Sequence, residues 1–174
     1  MNKGTLHKAA SSVLVQLRYA ARMTRLDLLR PTTRRVSYDT KWTPYRDKQL
    51  YRLVCDSWST LDYMQGGYIS SRGAHILQAV AFADADFAGC VETRRPTTGG
   101  GLCMAYPSSQ GPLHSLSKRQ DSAESSTHDA KPVAPYTVDR TLLIPCLDMW
   151  EVLVQRWKRG IVVSDVHTMH PVLG

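Results

Sequence analysis

The sequence predicts an α/β protein: a mixed sheet with flanking helices, preceded by an N-terminal helical extension. Three observations predict it. Residues 76–84 form a mostly apolar run, the mark of a central strand. The chain after it reads strand, strand, broken helical region, helix, strand. Two of the strand-like stretches end in a carboxylate, Asp84 and Asp165, and open α/β sheets bind ligands and metals at that edge.

The elements follow in order. Leu6, Ala10, Val13, Leu17, Ala20 and Ala21 recur at helical spacing, which predicts a helix over 5–29. Pro31 is expected to stop it, and residues 31–42 to be a polar, basic loop. Thr43 and Pro44 suit the N-cap and first position of a second helix. Leu50, Leu53, Val54, Trp58 and Leu61 give that helix an apolar core face, and Gly66-Gly67 ends it. These residues make up a helical segment, 1–75, ahead of an α/β domain, 76–174.

In the second domain, residues 92–99 read as a turn region. "GGLCMAY" and "PLHSLSK" read as two strands joined by the turn chemistry of "PSSQG". Residues 117–131 are a loop or the exposed start of a helix. Leu147, Trp150, Leu153, Val154 and Trp157 mark a helix from about 145 that Gly160 ends. "IVVSD" is a further short strand. Trp150 and Trp157 fall on the apolar face, so core suits them better than base stacking.

Composition narrows the function classes. With 43% hydrophobic and 21% charged residues, the 174-residue chain can bury a core and is not globally disordered. Twenty-two basic against 15 acidic residues give +7, which favours an anionic partner, nucleic acid first. No apolar run approaches the roughly 20 residues of a membrane span, so no membrane partner is expected. Cys55, Cys90, Cys103 and Cys146 form no CxxC pair and sit among apolar neighbours. They read as buried, reduced thiols of an intracellular protein, cytoplasmic or nuclear. Residues 1–26 carry basic side chains and no acid, so a basic targeting helix on an unrelated α/β domain is an alternative.

Several motifs carry a family resemblance. "FADADFAGCVETRRPTTGG" resembles the opening of the ribonuclease H region of copia-type retrotransposon Pol polyproteins, aromatic-x-Asp-Ala-Asp-aromatic-Ala-Gly and then Arg-x-Ser/Thr-x-Gly. "LSKRQ" resembles the family's Ser-Lys-x-Gln stretch, "SSTHDAKPVA" its Glu-Ala-Glu helix start, and "SDVHTM" its Asp-Asn-Gln-Ala segment. Upstream, "LRYAARMTRLDLLRPT" is similar to the family's Ala-Arg-x-Thr-Arg-Pro-Asp segment. "DKQLYRLVCDSWSTLDYMQGGY" resembles the helix between polymerase and nuclease.

The resemblance implies an incomplete ribonuclease H-like sheet and hydrolysis of RNA in RNA–DNA hybrids. Carboxylates there hold two Mg²⁺ (or Mn²⁺) ions about 3.5–4 Å apart. It implies Asp84 as one metal ligand and catalytic residue, and Asp165 as another. Asp129 would be a partial substitute for the glutamate that the family carries where this chain has Lys131; Glu124 is further off. Asp86 matches the motif's second aspartate, with no role assigned. An ammonium repels Mg²⁺, and Pro132 and Pro135 are expected to break the helix that carries it. The chain ends at Gly174, before the family's last helix and strand, and it contains no Asp-Asp dipeptide for polymerisation. The implied object is a Pol-derived fragment, weakly active or inactive, whose partners are nucleic acid and the remaining Pol polypeptide. A non-catalytic nucleic-acid-binding remnant is the alternative.

Arg94, Arg95, Ser117, Lys118 and Arg119 stand on turns beside this site, where phosphate contact is as reasonable as plain solvation. Asp165, His167 and His170 form D-x-H-x-x-H, but the spacing on a short helix is wrong for a zincin. "TTGGGL" lacks the ending of a phosphate loop and reads as a turn into a strand.

Overall fold

The protein is described by a computed structural model covering residues 3–38, 41–70, 77–86, 95–106, 108–120, 127–154, 160–164 and 169–172. The chain divides into two compact units, Met1–Gln65 and Gly66–Gly174, ten residues earlier than the boundary the sequence suggested.

The first unit is helical: α1 His7–Met23, α2 Leu29–Val36 and α3 Pro44–Ser59. Its core is Ala10, Leu14, Ala21, Leu28, Leu29, Trp42, Leu50 and Leu53. The helix expected over 5–29 breaks at Arg25, whose backbone sits at φ −122°, ψ 66°. There Arg25 makes a forked pair with Asp27, Nε to Oδ1 at 3.0 Å and Nη2 to Oδ2 at 2.8 Å. Arg25 Nη1 also donates to the Thr60 carbonyl at the end of α3. The family-like "RMTRLD" segment is therefore a structural clip. The expected loop over 31–42 is corrected: α2 runs through Pro31 to Val36. Pro31 is its third residue, where an N–H would lack an intrahelical partner anyway. On α3 only Leu50 and Leu53 are buried, and Val54, Trp58 and Leu61 are exposed, so the expected apolar face is narrower. The helix ends at Ser59, before Gly66. Cys55 is exposed, against expectation, whereas Cys103 and Cys146 are buried; Cys90 lies outside the described residues.

The second unit is mixed α/β. Its strands are β1 Gln78–Asp86, β2 Thr97–Tyr106, β3 Ser109–Arg119, β4 Gly160–Ser164 and β5 Met169–Val172. They form one sheet in the order β3-β2-β1-β4-β5. β1 pairs antiparallel with β2 and parallel with β4, and β2–β3 and β4–β5 are antiparallel. β1 is central, as its apolar run predicts. β2 begins at Thr97, inside the stretch read as a turn, and β5 was not anticipated. His170 stands on β5, paired with Val162, and not on a short helix.

Between β3 and β4 the chain crosses over through α4 Thr127–Val138, a π-helical turn Asp139–Leu143 and α5 Ile144–Val154. The expected break at Pro132 and Pro135 is corrected, because α4 passes through both. Pro132 is exposed and Pro135 half-buried, while Ala134 and Val138 turn to the core. Burial of that face and of Leu142, Leu143, Cys146 and Leu147 outweighs the two lost backbone bonds. α5 starts at Ile144 and carries Trp150 against the core, but Leu153 is exposed; Trp157 is outside the described residues.

The helices cover one face of the sheet. Leu77, just before β1, and Ala79, Ala81 and Ala83 of β1 are buried there with Leu102, Met104 and Val162. The alanines let the helical layer come close. At Gly100 an added Cβ would lie 2.6 Å from Val138 Cγ2, and at Gly160 2.9 Å from the Leu143 methyl groups. Alternation then sends Gln78, Phe82 and Asp84 to the other, outer face.

Candidate functional site

Three of the segments that carry the resemblance lie side by side at one end of the sheet. Asp86 is opposite Thr97, and Thr97 opposite Arg119. Ala85, Thr98 and Lys118 form the next row, and Asp84, Gly99 and Ser117 the one after. Directly opposed residues share a face, so Asp84, Asp86, Ser117 and Arg119 all stand on the outer face. The two aspartates are separated by about 6.6 Å along the strand at its usual rise. Lys118 is directed to the inner side of that row, and Arg95 is half-buried just before β2.

β4 runs parallel to β1 with Ser164 opposite Ala83, the residue before Asp84. Asp165 follows Ser164 in sequence and is outside the described residues, as are Arg94, Glu124 and His167. Asp129 is in the first turn of α4, its side chain outside the described residues, and Lys131 is half-buried one turn into the same helix. α4 packs against the inner face through Ala134 and Val138. Among the described residues, no group of three or more His, Cys, Asp or Glu side chains is close enough to hold a metal ion.

A hollow of about 330 Å³ opens on the outer face beside the site, lined by Phe82, Asp84, Gly99, Gly101, Val163 and Ser164. Its floor is bare backbone. A Cβ at Gly101 would meet nothing within 4 Å, and at Gly99 only the Asp84 carbonyl at 3.8 Å. Alternate glycines of one run thus serve opposite ends: Gly100 admits the helix, and Gly99 and Gly101 leave room above the strand.

Beneath the rim lies a buried polar clip that sequence reasoning did not single out. Gln120 Nε2 donates to Thr98 Oγ1 at 3.1 Å, and the Gln120 amide donates to the Pro96 carbonyl at 2.9 Å. Thr98 and Gln120 are both buried and tie the end of β3 to the start of β2. Part of the signal was present in the Ser-Lys-x-Gln likeness, whose glutamine is Gln120; Thr98 is the unspecified position between the threonine and the glycine of the Arg-x-Ser/Thr-x-Gly likeness, so that pattern did not point to it.

Two aspartates on a solvent-facing strand end, with a hydroxyl and a guanidinium across two strands, can bind a hard cation weakly and a phosphate oxygen beside it. No family model matches this chain, and no curated protein or solved structure matches it. Among the described residues, no helix is long and apolar enough to cross a membrane.

Proposed function

We propose that the chain is a ribonuclease H-like fragment of a copia-type Pol polyprotein, built to engage RNA–DNA hybrids through Mg²⁺ or Mn²⁺ and retaining little catalysis. The observation that carries this reading is the convergence of separate motif segments. Asp84–Asp86, Thr97–Gly99 and Ser117–Arg119 are neighbours in register, and Ser164, which precedes Asp165, is beside the first of them. The order β3-β2-β1-β4, with a helical crossover into a strand parallel to β1, also supports it.

Low activity follows from the ligand set. Asp84 and Asp165 would hold metal at adjacent strand ends, with a lysine where the resemblance puts their third partner. Too few oxygen ligands leave the cation weakly held and the attacking water unpositioned. Arg119 and Ser117, with Arg94 and Arg95, would contact the phosphate backbone without reading sequence, whereas Lys118 stands on the other face of β3.

The test is cleavage of a labelled RNA–DNA hybrid in Mg²⁺ and in Mn²⁺, alongside hybrid binding over a range of salt. The expected result is hybrid binding that falls steeply with salt, and trace cleavage that Asp84→Asn removes. Binding without cleavage would favour the non-catalytic remnant. Rapid turnover sensitive to Asp84→Asn would refute the loss of activity. Absence of hybrid binding would refute the reading altogether.

A further inference from the structure

The first unit holds a second concentration of charge, far in sequence from the carboxylate rim. A cavity of about 420 Å³ lies between α2 and the start of α3, lined by Arg30, Arg34, Arg35, Tyr45, Arg46 and Gln49, with Pro31 at its edge. Four guanidinium groups face one hollow, and among the described residues none of those lining it is acidic. Arg30 and Arg34 are one helical turn apart on α2, and both are exposed.

Arg35 and Arg46 are held in place. Arg46 stacks over the Tyr38 ring at 3.5 Å and donates to Gln49 Oε1 at 2.8 Å. Arg35 donates through Nη1 to the Pro31 carbonyl at 2.8 Å, while its Nε is buried with no hydrogen-bond partner. Burial, helped by the neighbouring Arg34 and Arg46 charges, pushes the Arg35 guanidinium below its ordinary pKa. Arg35 therefore bears an electrostatic cost that an anion would relieve. Planar guanidinium forks match the spacing of phosphate oxygens, and fixed forks lose little entropy on binding. The volume is that of a small-ligand site, and a flat basic face would not enclose it.

We propose that this cavity binds a phosphate group carried by a nucleotide or by the end of a polynucleotide strand, with Arg30 and Arg34 closing on it and Arg35 and Arg46 fixed behind it. The proposal stands on the first unit alone and does not require the nuclease reading.

Titration calorimetry on the full chain tests it. The probes are inorganic pyrophosphate, a nucleoside diphosphate, and one short oligonucleotide with and without a 5′-phosphate. The 5′-phosphate is expected to tighten oligonucleotide binding, and pyrophosphate to compete. Arg34→Gln and Arg30→Gln, both at exposed positions, should each weaken binding about tenfold, the value of one charged hydrogen bond. Their thermal melts should match the parent. Preference for the phosphorylated oligonucleotide over the diphosphate assigns the ligand to a strand end; the reverse assigns it to a free nucleotide. Either preference upholds the site. Equal affinity for the two oligonucleotides, no pyrophosphate binding at millimolar concentration, or indifference to both substitutions would overturn it.

Discussion

The two faces of β1 come from alternate residues of one nine-residue strand, yet they obey different rules. The inner face is Ala79, Ala81 and Ala83, small enough for a helical layer to press against the backbone. The outer face carries Phe82, 47% exposed, and then Asp84. β2 repeats the contrast in a single glycine run, where Gly100 is filled by Val138 from below and Gly101 has open space above. Close packing fixes the inner face, and the outer face is left available for chemistry.

The contrast can be broken or sharpened by substitution. The largest effect is expected for Leu143→Ala, which empties a fully buried position against Gly160. It should cost about 2–5 kcal/mol in chemical denaturation. Phe82→Ala on the outer face should cost under about 1 kcal/mol, and equal losses at the two positions would erase the distinction. Gly100→Ala comes next. Its methyl would collide with Val138, an overpacking cost of about 1–3 kcal/mol, partly recovered when Val138→Ala is combined with it. Gly101→Ala should change stability by less than about 0.5 kcal/mol.

The smallest effect concerns Asp139, in the π-helical turn below the sheet. Burial raises its carboxyl pKa above the ordinary 3.8, and one carboxylate oxygen is buried without a partner. Because the folded pKa lies above the unfolded one, the folded chain holds the proton more tightly. Stability should therefore fall as pH rises through that interval and stay lower at neutral pH. Asp139→Asn should raise the melting temperature at pH 7, and the gain should vanish below about pH 3.8, where both states are protonated.

Much of this contrast was legible in the sequence. The run from Leu77 to Ala83 announced a central strand, and the cluster Pro107–Gly111 announced a hairpin, because apolar alternation and turn chemistry are local signals. The course of α4 was not legible. Prolines 132 and 135 are strong local breakers, and only the tertiary contacts of Ala134 and Val138 override them. Pro31 misled for a related reason, since its effect depends on where in the helix it falls. At the rim, the aspartates were visible from their motif. The Thr98–Gln120 clip needed the register of β2 against β3, and the arginine cavity needed α2 to exist where a loop was expected. On α5 the apolar periodicity also took in Leu153, which is exposed.

The central claim is that the ends of β1 and β4 form a single cation-binding rim. Mn²⁺-induced broadening of backbone amide signals tests it most directly. The account predicts broadening strongest at Ala85, Asp86, Gly99 and Ser164, weak at Leu77 and Met104, and lost in both Asp84→Asn and Asp165→Asn. Broadening that persists unchanged in Asp165→Asn, or that centres away from these strand ends, would contradict it.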